Sequence, residues 1–435
     1  MNEFPNIVKQ RLTSLINKMS ESPAAFVKNP EKDFTRKRKL PFETVIQLLL
    51  SMGGNSIYKE LLEANGYDAI TATTSAFIQQ RDKILPNAFE FLFHEFTNTM
   101  TDPKTYKEYR LLAVDGSDLH ISTDPNNPET YFQNKPEEKG YNLLHLNALY
   151  DLCNRIYIDA HIQTRRNANE HKALTKMVDR SPISDKVILL ADRGFESYNN
   201  FAHIERKGWK YLIRVKDLGS NGILSGLNLP SDGEFDICIQ RILTRKHTKE
   251  IMSHPNIYRF LPTTSSFDFL DADTFYPISL RVVRFKVADD SYETLITNLG
   301  KTDFPPSELK MLYSKRWGIE TSFRELKYAV GLINFHAKKQ EYIVQEIFAR
   351  LTMYNFAEMI TSHVVIQQMD SKLVYQVNFT VAIHICRYFL RCSDNALLPD
   401  VEALIHKNIL PVRPNRTDKR KIRCKPAVSF TYRIA

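Results

Sequence analysis

The chain is poor in the patterns that knit small or metal-stapled folds. Its five cysteines (Cys153, Cys238, Cys386, Cys392 and Cys424) form no Cys-x-x-Cys pair, are odd in number and lie far apart. That excludes a disulfide framework or a zinc ribbon and predicts inert thiols in a reducing cytoplasm. None of the 12 histidines falls in a His-x-x-x-His or His-Glu-x-x-His arrangement, so a catalytic zinc site is excluded. No stretch approaches the ~20 apolar residues that span a bilayer. The start, Met-Asn-Glu-Phe-Pro, lacks the cationic-then-apolar order of a secretory signal. The expectation is a soluble cytoplasmic protein with no membrane partner. Ser117 lies outside any Gly-x-Ser-x-Gly elbow. Gly300-Lys301-Thr302 ends like a phosphate-binding loop, but Leu295 stands where that loop needs its first glycine. Internal repeats and low-complexity tracts are absent as well.

What is present suits a multidomain globular protein. At 435 residues, two or three domains are expected, and 43% hydrophobic residues supply well-packed cores. A charged share of 25% argues against global disorder. The 59 Lys and Arg exceed the 50 Asp and Glu, giving +9. Such a surplus favours a polyanionic partner, because cations bound to phosphates release condensed counterions.

Residues 1–105 read as a helical N-terminal domain. Apolar residues recur at helical spacing through Val45–Met52, Tyr58–Leu62 and Phe77–Phe96, with Gly53, Gly54 and Gly66 as breaks. The segment 57–84 suits either a plain helical bundle or a DNA-reading helix pair. From 106 to 215 the rhythm is α/β. Strands are expected at Leu111–Val114, Tyr141–Leu149, Arg155–Ile162, Lys186–Ala191 and Tyr211–Val215, with helices at Ala168–Val178 and Asn199–Lys207. Residues 216–300 form a β-rich insertion with strands at Phe235–Leu243, Ile278–Val287 and Tyr292–Leu299. Residues 301–365 return to helix. One helix is expected from Pro305-Pro306-Ser307 to Val330, stopped by Gly331, and an amphipathic one over Ile343–Ile360. Residues 366–435 make a basic C-terminal region, with seven basic and one acidic residue between Arg413 and Lys425.

Chemistry concentrates in three places. Leu-Leu-Ala-Val-Asp115 and Val-Ile-Leu-Leu-Ala-Asp192 both read as buried strands ending in an aspartate. Strand ends of open α/β sheets are where ligand-binding side chains converge, and carboxylates there suit hard divalent cations. Asp118 is a rival to Asp115. The third place is the helix with Tyr313, Arg316, Trp317, Glu320 and Lys327. At ~100° per residue, Tyr313, Arg316, Glu320 and Lys327 fall within an arc of roughly 60°. A carboxylate flanked by cations suits a metal ion beside a phosphate backbone.

The Tyr-x2-Arg-x3-Glu-x6-Lys spacing resembles the signature of the IS-four-type bacterial DDE transposases. Asp115 and Asp192 match that family's two remaining acidic positions, and the resemblance covers roughly residues 70–360. It implies a ribonuclease-H-like catalytic domain, interrupted by the insertion. It further implies a metal-binding catalytic triad of Asp115, Asp192 and Glu320, holding Mg²⁺ or Mn²⁺, two ions in all. Tyr313, Arg316 and Lys327 would engage phosphates at a transposon end, and Trp317 would stack on a displaced base. The implied activity is DNA cleavage and strand transfer on double-stranded DNA, by a dimer assembled on that DNA at the nucleoid. Some members of the family carry a base-flipping tryptophan in the insertion. Here Trp209 and Trp317 both lie outside 216–300, so a hairpin step is left open. The alternatives are a nuclease of the same fold and a non-catalytic binder of element ends.

Overall fold

The structure, a computed structural model, describes residues 3–36, 38–288, 291–364, 374–392 and 397–412. The basic run from Arg413 onward lies outside the described residues. Five helices open the chain: α1 (Glu3–Glu21), α2 (Phe42–Ser51), α3 (Ile57–Ala64), α4 (Thr74–Arg81) and α5 (Pro86–Asn98). In α1, Val8, Leu12, Ile16 and Met19 recur every three or four residues and are all buried, the stripe an amphipathic helix needs. α5 starts on Pro86, whose missing N–H is no loss at a first turn, and buries Phe89, Leu92, Phe93 and Phe96.

A single sheet follows, built from β1 (Arg110–Ile121), β2 (Tyr131–Phe132), β3 (Tyr141–Asp151), β4 (Ile156–Thr164), β5 (Val187–Ala191) and β6 (Lys210–Val215). The insertion adds β7 (Phe235–Thr244), the short helix α8 (Lys249–Ser253), β8 (Tyr258–Phe260), β9 (Phe275–Ala288) and β10 (Ser291–Thr297). Strands β4, β3 and β1 are antiparallel neighbours, whereas β1, β5 and β6 run parallel. An antiparallel meander joined through its first strand to a parallel pair is the ribonuclease-H-like order, and the two parallel crossings carry α6 (Glu170–Arg180) and α7 (Tyr198–Arg206). The insertion does not form a sheet of its own. β10 pairs antiparallel with β6, and β9, β7 and β8 extend the same sheet outward.

Side-chain alternation divides the sheet between two cores. Leu111, Ile188, Leu190 and Leu212 meet Leu309, Leu312 and Tyr313 on one face. Leu112, Leu189 and Ala191 join the larger core that holds Leu174 of α6 and Phe201 of α7. The first of these faces is closed by α9 (Pro306–Ser314).

Three expectations need correction. The strand expected to end at Asp115 continues to Ile121, because β3 pairs with it as far as Ile121 although β5 leaves it at Ala113. The single helix expected from 305 to 330 divides into α9 and α10 (Trp317–Tyr328). Between them the ladder tightens to i−3 bonds, with Arg316 N to Tyr313 O at 3.0 Å and Ile319 N to Arg316 O at 3.1 Å. The tightening occurs where Gly318 lies so near Leu152 that a Cβ would stand 2.8 Å from its Cδ2.

The third correction concerns the helix expected to be amphipathic over Ile343–Ile360. This is α11 (Gln340–Thr361), and it is buried almost all round. It lies between the N-terminal helices, β4 and α12 (Phe379–Arg391). Its polar side chains mimic a wet face in the sequence but are paired inside. Asn355 both accepts from Tyr157 N and donates to Tyr157 O, each at 2.8 Å. Glu358 binds Arg155 at 3.0 Å. Among the described residues no helix is long and apolar enough to cross a membrane.

Candidate active site

Arg110 pairs with Val187 and Ala113 with Leu190 along the parallel β1–β5 ladder. Asp115 and Asp192 each follow two residues after the last pair of that ladder, at the same end of the two strands. Within β1, Asp115 shares the parity of Leu111, so its side chain projects from the α9 face of the sheet. Asp192 leaves β5 in extended backbone and its Oδ1 accepts the Gly194 N–H at 2.8 Å. Asp115 Oδ1 accepts the N–H of Gly116 at 2.8 Å. Burial pushes the Asp115 carboxyl up to about 6. The charges of Asp192 and Glu320 push the same way, opposed by the Gly116 N–H and by Arg316. Two further carboxylates and a guanidinium are therefore close enough to act on Asp115.

Arg316 and Glu320 come from the tightened junction and first turn of α10. Arg316 Nη2 donates to Glu320 Oε1 at 2.8 Å. Arg316 is only 6% exposed, and its Nε has no hydrogen-bond partner. Its guanidinium lies 5.8 Å from the Tyr313 ring and 5.1 Å from the Trp317 ring. Tyr313 is buried, and burial raises its phenol. Trp317 is 55% exposed, a large indole facing outward beside the charged cluster. Lys327, near the other end of α10, donates to the backbone oxygen of Asp118 at 3.0 Å, which ties this helix to β1.

Asp118 has the opposite parity from Asp115 and takes no part in that cluster. Its Oδ1 meets His145 Nδ1 at 2.6 Å and Arg165 Nε at 3.0 Å. The other ring nitrogen of His145 meets Glu170 Oε1 at 2.9 Å. Burial works against charge on His145, but the hydrogen bonds to both carboxylates outweigh it and raise the imidazole to about 9. His145, Arg165 and Glu170 belong to no sequence motif. The signal available for Asp118 is the strand period: three residues after Asp115, a side chain must lie on the other face.

Among the described residues no three His, Cys, Asp or Glu side chains stand close enough together to hold a metal ion as they are. The chemistry of the donors nevertheless fits a hard divalent cation. The Asp115–Asp192–Glu320 set offers carboxylate oxygens alone. Repulsion at the half-buried Asp115 is of the kind a cation relieves, and Arg316 partly supplies that positive charge to Glu320.

The family described as "Transposase DDE domain" matches residues 106–356. That span begins just before β1 and closes within α11, and so contains every residue of the cluster. No curated protein matches the chain. Among solved structures, a cryo-EM structure of the piggyBac transposase synaptic complex with hairpin DNA is similar, with 12% identity and a TM-score of 0.46, over 95% of this chain and 87% of that chain.

Proposed function

This chain belongs to the transposase DDE domain family, and on that premise we propose that it is an IS-four-type DNA transposase that cuts the ends of its element and joins them to target DNA. The observation that carries the proposal is the meeting of Asp115 and Asp192, each just past the last β1–β5 pair, with the Arg316–Glu320 ion pair, whose charges act on Asp115. Under this reading Asp115, Asp192 and Glu320 hold Mg²⁺ or Mn²⁺, two ions in all. When bound, such ions polarise the scissile phosphate and lower the pKa of water.

The other roles belong to the chain's own side chains. Arg316 has one Nη on Glu320 and an unpartnered Nε, so it has donor capacity left for a phosphate oxygen. Lys327 and Tyr313 complete the phosphate contacts, and the exposed Trp317 offers a stacking surface for a displaced base. Strand transfer needs the freed 3′-hydroxyl aligned with the target phosphodiester, which is a matter of positioning rather than of a new nucleophile. Residues 1–105 serve DNA binding, 106–215 and 301–365 the catalytic domain, 216–300 the insertion, and 366–435 a basic region. The active form is a dimer assembled on DNA at the nucleoid.

The test is incubation of the purified protein with duplexes carrying the element's flanking ends, with and without Mg²⁺ or Mn²⁺. Ion-dependent nicking at the end followed by joining is expected. Nicking without joining identifies a nuclease, and binding without nicking identifies a non-catalytic binder.

A further inference from the structure

Immediately beyond Asp192, between the β5–α7 loop and the insertion, lies a cavity of about 720 Å³. Four cations line it: Lys172 of α6, Arg193, Lys216 after β6, and Arg259 of β8. Among the described residues none of the four forms an ion pair. The cavity's one carboxylate, Glu196, is already engaged, its two oxygens accepting Lys216 N at 2.8 Å and Ile223 N at 2.6 Å. The next carboxylate, Asp268, is held by Asn199 and His203, each at 2.9 Å. Arg259 Nε is shut off from solvent and has no hydrogen-bond partner.

A second feature points the same way. α7 begins at this cavity, and the side chain of its N-cap, Ser197, accepts no hydrogen bond from the helix. The first N–H groups of a helix are donors without intrahelical partners, and they sit at its positive end. Four cations, an uncapped helix start and a buried guanidinium nitrogen without an acceptor describe a site short of one thing, an anion with several oxygens.

We propose that this cavity is a phosphate subsite for DNA: it holds a phosphodiester of the strand that passes from the Asp192 end of the cluster toward the insertion. The proposal rests on the transposase reading for its ligand. Its geometry assigns a specific task to the insertion, which contributes Arg259 and so closes a clamp begun by the catalytic domain. A free phosphate would satisfy the same donors, and the experiment separates the two sources.

The probe is an element-end duplex with neutral methylphosphonates placed one at a time along both strands. Binding is measured without divalent ions, so that cleavage plays no part. The variants are Lys172→Gln with Lys216→Gln, both exposed side chains whose loss leaves the core intact, and Arg259→Gln separately. For the wild type, one or two neighbouring methylphosphonates should weaken binding about tenfold. In the variants those same positions should become indifferent, and the salt slope of binding should fall by about one per lost contact. Identical methylphosphonate maps for wild type and the exposed-lysine variant overturn the proposal. So does a cavity that takes free phosphate only, recognised when inorganic phosphate raises the wild-type melting temperature, but not the variant's, while the maps coincide. Failure of the wild type to nick ends with Mg²⁺ would count against the transposase reading instead, and the maps would still decide whether the cavity holds DNA.

Discussion

Arg81 Nη1 and Glu346 Oε1 meet at 2.9 Å with both side chains almost wholly buried, joining the last turn of α4 to the second turn of α11. Arg81 also donates to Gln345 Oε1 at 2.8 Å. Burial alone would push the Glu346 carboxyl up. Arg81 and the hydrogen bond from His336 outweigh it and hold the group well below the usual carboxylate range. A depressed carboxylate contributes stability above its unfolded pKa, about 4.3, and that contribution is lost as pH falls through the folded value. Glu346→Gln leaves Arg81 buried without its counter-charge and should lower stability by about 3–5 kcal/mol at neutral pH. Urea unfolding of both proteins from pH 7 downward checks it. The gap should be widest near pH 7 and narrow steadily below about pH 4. A gap independent of pH rules the ion pair out as its source.

This pair also marks the limit of what the sequence discloses. The parallel strands are legible because Val187–Ala191 is a continuous apolar run, and Asp192 because the run stops there. Glu320 is legible through its spacing from Tyr313, Arg316 and Lys327. The burial of α11 is not, because Gln345, Glu346, Arg350, Asn355 and Glu358 look like a solvated face. Only tertiary structure brings Arg81 and Arg155, from distant segments, to pair with them. The His145 network is hidden for the same reason, since its partners Asp118 and Glu170 approach from a neighbouring strand and a helix start. The break between α9 and α10 at 315–316 has no sequence marker beyond Gly318, and helical periodicity simply runs through it.

His145 predicts a pH effect of opposite sign. Its imidazole is raised to about 9 in the folded protein, against about 6.5 for an unfolded histidine. Its stabilisation is therefore complete below pH ~6.5 and is lost as pH rises through about 9. The stability difference between wild type and His145→Gln should shrink between pH 6.5 and 9.5, measured as the shift in urea midpoint. A difference that grows over that range contradicts a charged imidazole between Asp118 and Glu170.

Gly116 should tolerate no side chain. A Cβ there would stand 2.4 Å from Glu170 Oε1 and 2.5 Å from His145 Nε2, two atoms that share a hydrogen bond. Gly116→Ala must push apart a pair that holds β3 to the start of α6. Overpacking of this kind costs about 1–3 kcal/mol. Thermal melting checks the magnitude. Combining it with His145→Gln should give less than the sum of the two single losses, because both act on one contact.

The last prediction separates the roles of Arg316 and Glu320, which bind each other at 2.8 Å. Glu320→Gln keeps the length of the side chain and removes the charge proposed to hold a cation. Binding of element ends should persist, since Lys327 and the cationic surface remain. Nicking and joining should both fall by at least about a hundredfold, because one set of carboxylates serves both displacements. Arg316→Ala removes a buried guanidinium that faces both Glu320 and, on the proposed reading, a phosphate. End binding should weaken along with cleavage, and Mn²⁺ should not restore it, as the lost contact is to DNA. Glu320→Asp supplies the conservative control: it retains the charge on a shorter arm, and Mn²⁺, which tolerates looser coordination, should recover part of its activity. A gel shift and a cleavage assay on the same labelled end, with all four proteins, distinguish these outcomes. Cleavage by Glu320→Gln at the wild-type rate would remove Glu320 from the cation site. Loss of binding in Glu320→Gln equal to that in Arg316→Ala would instead make their ion pair a structural strut for the α9–α10 junction.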